Sequence, residues 1–365
     1  MKRPDSIYRK ICTREKGWAW IGWLLTPVSL LYGLYGRIRR KLYDGGILKR
    51  TVLPVTVVSI GNIEVGGVGK TPVTIWLARR LLKLGIKVAV VARNLERGRG
   101  EPFAIRPGAG TVRNLSDEVL MLGARLGYRC AVYAGPSKRD AAVRAAREAS
   151  PDVILVDDGF QHLSLQRDVD VVVLDHEHPL GLGGLVPSGT LREFPSTLCR
   201  ADFLWVNRSG REASKSFTKR KIAAWNWQSP FVFSEPVPAG PRNLSGESLE
   251  DWKKDVLAFC GIARPEDFRK TLLTAGFNVL ELVAFPDHYR YTEEDVRALS
   301  DTARRLRATC MITTEKDAMK IPARLSARHS VYMLPIDLEV GGEAEGLLGR
   351  IVDCCLERKR GTEER

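Results

Sequence analysis

No two of the chain's cysteines form a C-x-x-C pair, and the seven present are odd in number and scattered from Cys12 to Cys355. That excludes a disulfide framework and a cysteine zinc site, and it fits a reducing cytosol. No repeat or low-complexity segment occurs. No Asn-Lys-x-Asp stretch for guanine is present, Thr314-Glu315-Lys316-Asp317 being the nearest approach. A nucleic-acid-binding motif is also missing. The +14 net charge of these 365 residues is unevenly placed. Twelve Lys and Arg face three acids within residues 1–50, a local excess of +9. Such a local excess argues against a general nucleic-acid surface and for something like anionic lipid.

Against these absences stands one organising stretch. Val52 to Ile60 is an apolar, β-branched run that reads as a buried strand. It leads into Gly61–Thr71, GNIEVGGVGKT, and then into a helical pattern ending at Gly85. A strand, a glycine-rich loop closing on Gly-Lys-Thr and a helix make a phosphate loop. Glycines let backbone N–H groups approach phosphate oxygens, and the helix N-terminus adds partial positive charge. The spacing assigns Glu64, Val65, Gly66, Gly67, Val68, Gly69, Lys70 and Thr71 to the nucleotide. Lys70 reaches the β- and γ-phosphates, and the Thr71 hydroxyl is a Mg²⁺ ligand. Glu64 occupies the place where the motif usually has its first glycine.

Further along, Val153 to Val156 is an apolar strand ending in Asp157-Asp158-Gly159. A carboxylate there is the second half of a nucleotide site, although Asp-Asp-Gly also makes a plain turn. Ser116-Asp117-Glu118 opens a helix, where the acids also suit the helix dipole. A long glycine-rich loop after Asp175 carries Arg192 and Glu193 near its end, as loops at strand C-termini often form sites. Residues 17–36 carry no charge, are rich in Trp, Leu and Tyr, and have basic flanks. They read as a helix lying on or dipping into a membrane leaflet, with a single span as the alternative.

Taken together, GNIEVGGVGKTP, the Asp117-Glu118 helix start, VDDGFQH, GLVPSGTLRE, AFCGIARPEDF, FPDHYRY and TTEKDAMK, in this order, resemble the tetraacyldisaccharide 4'-kinase family over nearly the whole chain. The resemblance implies an α/β fold: a P-loop kinase-like parallel sheet core, a second, smaller α/β lobe and an N-terminal membrane-associated helix. It implies transfer of the γ-phosphoryl of ATP, with Mg²⁺, to the 4'-hydroxyl of an acylated glucosamine disaccharide lipid at the cytoplasmic face of the inner membrane. It further implies Asp117 as the base coupled to His288, and Glu193 beside Thr71 and Asp157 on the metal. Glu118, Asp158, His162 and Arg192 stand nearby by the same resemblance. No nucleic acid and no obligate protein partner is expected. The expected segments are 1–50 for the helix and basic flank, 51–208 for the ATP-binding domain, 209–250 for a linker and 251–365 for the second lobe. The family's Ser-Arg-Gly-Tyr-Gly after the second strand is Ala92-Arg93-Asn94-Leu95-Glu96 here, so its tyrosine is lost at Leu95. A kinase for a different glycolipid and a membrane-recruited P-loop ATPase switch are the competing readings.

Overall fold

A computed structural model describes residues 4–94, 100–105, 115–208, 212–226, 228–243, 247–249, 254–262, 265–287, 289–321, 325 and 329–363. The elements, in chain order, begin with helices α1 (Pro4–Cys12) and α2 (Ala19–Asp44). Then come β1 (Thr56–Gly61), α3 (Lys70–Lys83), β2 (Val88–Arg93), β3 (Phe103–Ile105), α4 (Asp117–Leu126), β4 (Ala131–Gly135), α5 (Lys138–Ala149) and β5 (Val153–Asp157). Next are β6 (Val169–Asp175), β7 (Phe203–Asn207), α6 (Glu212–Ile222), β8 (Phe231–Pro238), β9 (Asp255–Cys260), α7 (Pro265–Thr274) and β10 (Asn278–Ala284). The chain finishes with α8 (Glu293–Arg305), β11 (Cys310–Thr314), the single turn α9 (Glu315–Ala318), β12 (Val331–Leu334), β13 (Ile336–Val340) and α10 (Ala344–Glu363). Two compact units result, Met1–Glu235 with Leu338–Arg365, and Pro236–Asp337.

The first unit is built on a nine-stranded sheet of order β13-β8-β7-β6-β1-β5-β2-β4-β3. From β8 to β4 every pairing is parallel, and β3 closes one edge antiparallel. Parallel strands are buried on both faces, which explains the unbroken apolar runs read from the sequence. Side chains alternate between the two faces. Val58 and Ile60 of β1 meet Val73 and Leu77 of α3, Leu122 of α4 and Leu347 and Ile351 of α10. Val57 faces the opposite side with Ala141, Ala142 and Ala145 of α5. Strand β1 lies between β5 and β6, so the order reverses there. A crevice at such a reversal is where open α/β sheets bind ligands.

The boundaries differ from those expected. Part of the expected linker, 209–250, forms α6 and β8, and β8 joins the main sheet parallel to β7. Residues 338–365, expected in the second lobe, return to the first unit. The reason is burial: Leu347, Ile351, Cys354 and Cys355 on one stripe of α10 complete the first unit's core. The helix is also tied by Arg358 to Asp168 at 2.5 Å and Lys359 to Asp152 at 2.8 Å.

The second unit has a four-stranded parallel sheet of order β10-β9-β11-β12. Helix α8 starts with a reciprocal cap, Thr292 and Asp295 each bonding the other's backbone N–H. Asp317 of α9, fully buried, accepts the Gly261 N–H at 3.0 Å and the Thr314 hydroxyl at 2.6 Å. That satisfies the acid of the TTEKDAMK stretch structurally.

Helix α2 runs farther than the uncharged segment, through Arg37, Arg39, Arg40 and Lys41. Its buried stripe consists of small residues, Gly22, Ser29 and Gly33. Its other faces expose Trp20, Trp23, Leu24, Leu31, Leu34 and Tyr35. Among the described residues no helix is long and apolar enough to cross a membrane.

Candidate active site

The site gathers at the C-terminal ends of β1, β5 and β7. The loop after β1 is held in two halves. Asn62 to Val65 lies beside residues 190–192: Arg192 N–H donates to the Ile63 carbonyl at 2.7 Å, and Val65 N–H to that of Thr190 at 2.7 Å. Glu64 forms an antiparallel bridge with Leu191, and its carboxylate accepts the Thr190 hydroxyl at 3.5 Å. Glu64 does not take the left-handed backbone that favours glycine, which is why it can stand where the motif usually has one. The second half turns sharply. Gly69 has φ of +88° and lies against the Asn207 amide, so a side chain there would be both strained and in collision. The Asn207 amide donates to the Val68 carbonyl at 2.6 Å, fixing the turn from the end of β7. Helix α3 then starts without a side-chain cap, leaving its first N–H groups to a ligand.

Behind the loop, the two oxygens of Asp157 accept from Thr71 at 3.1 Å and Thr74 at 2.9 Å. Burial pushes the Asp157 carboxyl upward, against the pull of the Thr74 hydroxyl and of Lys138 and Lys70. Asp158 is the hub of a cation cluster. Arg192 Nη1 lies 3.0 Å from each of its oxygens, Lys70 Nζ at 3.4 Å and Lys138 Nζ at 4.0 Å. Burial opposes ionisation of Asp158, yet Lys70, Lys138 and Arg192 outweigh it and hold the carboxyl well below its ordinary range. Lys138 also donates to the Asp158 carbonyl, and its burial pushes the amine downward. Three cations around one carboxylate leave the cluster attractive to polyanions.

The remaining expected residues fall as follows. His162 accepts the Arg139 N–H on Nε2 at 3.2 Å, and burial, followed by nearby cations, lowers it to about 4. It is therefore neutral at neutral pH. Asp117 is the first, buried residue of α4, and Glu118 beside it is exposed. Asn94, in the segment that departs from the family pattern, accepts the Ser116 N–H at 2.8 Å and so anchors the start of α4. Glu193 pairs with Arg200 at 3.4 Å. His288 and Leu95 lie outside the described residues. Asn207, Thr74 and Lys138 were not expected in the site. Asn207 had a signal, a polar residue ending an apolar strand as Asp157 does. Lys138 had none, because a lysine opening an amphipathic helix looks like solvated surface.

The donor set fits Mg²⁺. A threonine hydroxyl and an aspartate carboxylate in contact are hard oxygen ligands, and Mg²⁺ usually takes one or two of these plus phosphate oxygens and waters. Among the described residues no group of three or more His, Cys, Asp or Glu could hold a metal by itself.

The family model described as Tetraacyldisaccharide-1-P 4'-kinase matches residues 21–353. The chain belongs to the tetraacyldisaccharide 4'-kinase family. A tetraacyldisaccharide 4'-kinase of Anaeromyxobacter sp. is 35% identical over 92% of this chain and 92% of its own length. One from Halothermothrix orenii is 32% identical over 94% and 93%. The crystal structure of Aquifex aeolicus LpxK in complex with ATP superposes with a TM-score of 0.72 at 29% identity, covering 92% of this chain and 99% of that one. The α/β fold with a large, mainly parallel sheet is thus the fold of this kinase family.

Proposed function

We propose that this protein transfers the γ-phosphoryl group of ATP to the 4'-hydroxyl of tetraacyldisaccharide 1-phosphate. The observation that carries the reading is the Thr71–Asp157 contact behind a phosphate loop in a chain of this family. The backbone N–H groups of residues 66–71 and the Lys70 amine bind the ATP phosphates, Lys70 moving from Asp158 to do so. Arg192 and Lys138 keep Asp158 ionised when Lys70 leaves. Thr71 and Asp157 are the residues that would hold Mg²⁺, and a part for Glu193 requires its release from Arg200. When bound, Mg²⁺ neutralises charge developing on the transferred phosphoryl group.

A sugar hydroxyl is a poor nucleophile, so a base positioned to take its proton speeds the attack. In this reading Asp117 is that base, paired with His288, and Glu118 supports the acceptor. The α4 N-terminus holds Asp117 still through the Asn94–Ser116 bond. The acceptor is a lipid, and α2 supplies the means to meet it: its exposed Trp, Tyr and Leu side chains enter the interface while the basic residues face anionic headgroups. In this reading the enzyme works at the cytoplasmic face of the inner membrane, where ATP is available.

The test is transfer of labelled γ-phosphate to tetraacyl disaccharide 1-phosphate in detergent micelles, with Mg²⁺ or with EDTA. A Mg²⁺-dependent lipid product is expected, and Lys70→Ala and Asp117→Ala are each expected to abolish it while remaining folded. Wild-type-like turnover in either variant would sink the mechanism. ATP hydrolysis without a lipid product would favour the switch reading.

A further inference from the structure

We propose that helix α2 is part of the nucleotide site's framework, with Ser29 and Gly33 as positioning residues for the phosphate loop. The inference rests on the reading of that loop as the ATP site. Two routes lead from α2 to Asn62–Val65, the half of the loop that no regular element holds.

The first route runs through the strap Leu182–Arg192. Ser188 donates its backbone N–H to the Ser29 hydroxyl at 3.0 Å, and the two hydroxyls lie 2.9 Å apart, both nearly sealed from solvent. One turn on, the absence of a side chain at Gly33 lets Leu185 and Phe194 close against the helix, where a methyl group would collide with both. Arg37 stacks its guanidinium 3.9 Å from the Phe194 ring centre. Helix α1 adds the Tyr8 hydroxyl, which donates to the Gly189 carbonyl at 2.7 Å. The strap so pinned is the segment that pairs with Ile63, Glu64 and Val65 through Arg192 N–H, the Leu191 bridge and the Thr190 carbonyl.

The second route is independent. Arg39 Nη1 donates to the Gln161 carbonyl at 3.4 Å, and the Gln161 amide donates to the Asn62 carbonyl at 2.7 Å. Asn62, fully buried, in turn donates to the Glu64 carbonyl at 2.8 Å. A phosphate loop binds through the aim of its N–H groups, so a small displacement of its first half misdirects them. A helix serving only to meet lipid would need no buried hydroxyl pair aimed at the strap.

The experiment uses full-length Ser29→Ala, Ser29→Thr and Gly33→Ala. Equilibrium binding of ATP with Mg²⁺ is measured without lipid, alongside KM for ATP and for the acceptor, with circular dichroism and thermal unfolding to establish folding. Ser29→Ala strands the Ser188 N–H, and ATP affinity is expected to fall on the order of tenfold. Gly33→Ala is expected to act in the same direction, and Ser29→Thr, which keeps the hydroxyl, to restore binding. KM for ATP rises more than KM for the acceptor. Arg39→Gln, on the second route and half-exposed, serves if the buried variants do not fold, with a loss of about threefold expected. ATP affinities of the folded variants within about twofold of wild type, or a rise confined to the acceptor's KM, overturn the positioning role alone. A wild-type protein that binds no ATP overturns the kinase reading itself.

Discussion

His162 shows what burial does to a single residue of the site. Its folded value of about 4 lies below the ordinary histidine value of 6.5. The folded protein therefore takes up the proton less readily than the unfolded chain does. Its contribution to stability is complete above pH 6.5 and is lost as pH falls from there toward 4. The difference in thermal midpoint between wild type and His162→Gln, followed from pH 7 to pH 4, is expected to shift progressively in the variant's favour. A constant difference across that range would show that His162 is protonated at no cost. Asp157 is held by two hydroxyls, one on each carboxylate oxygen. Asp157→Asn keeps the shape, yet exchanges one carboxylate oxygen for an amide donor facing either Thr71 or Thr74. The expected result is a loss of Mg²⁺-dependent turnover by at least on the order of a hundredfold, read from a Mg²⁺ titration of initial rates.

At the scale of elements, α10 and α2 carry the most distinctive packing. The α10 stripe of Leu347, Ile351 and Cys354 fills the core over β1 and α3 although it lies almost 290 residues from β1 in sequence. Leu347 is fully buried, so Leu347→Ala is expected to cost about 3 kcal/mol of stability. Urea unfolding monitored with and without ATP checks it: the loss must appear in the ATP-stabilised transition, because α10 completes the nucleotide-binding unit. Helix α2 divides its surface by residue size. Small residues pack inward, and large aromatic and aliphatic ones remain outside. Gly22 and Gly33, with no side chain, let the helix pack closely on Ile11 and on Leu185 and Phe194.

For the whole molecule, charge and ligand binding set the testable behaviour. The basic excess in residues 1–50 predicts association with anionic vesicles that weakens as salt rises and is much reduced on neutral vesicles. Co-sedimentation across a salt series measures it, and salt-independent binding would leave the apolar face of α2 as the whole cause. Binding at the phosphate loop stabilises the folded state by mass action, about 2.7 kcal/mol at an ATP concentration one hundred times Kd. Lys70→Ala is expected to remove most of that gain. An equal thermal shift in the variant would mean that ATP binds elsewhere.

The chain's local order by itself determined the phosphate loop, the buried strands that flank it and the acids at the end of β5. Each is a short-range pattern in which residue type and spacing decide backbone conformation and burial. Family membership was equally legible, because seven ordered motifs survive without any knowledge of contacts. Only tertiary structure decided which distant residues complete these pieces: Asn207 on the Val68 carbonyl, Lys138 on Asp158, Glu193 with Arg200, and α10 in the core of the first unit. Segments 209–250 and 338–365 read as linker and second lobe because their alternation is weak or short. Helix α6, the part of β8 through Glu235 and residues 338–363 fold into the first unit because its sheet still had an edge to extend and an apolar face to cover, whereas the chain from Pro236 belongs to the second unit. Such needs belong to the assembled sheet, and no single stretch of sequence records them.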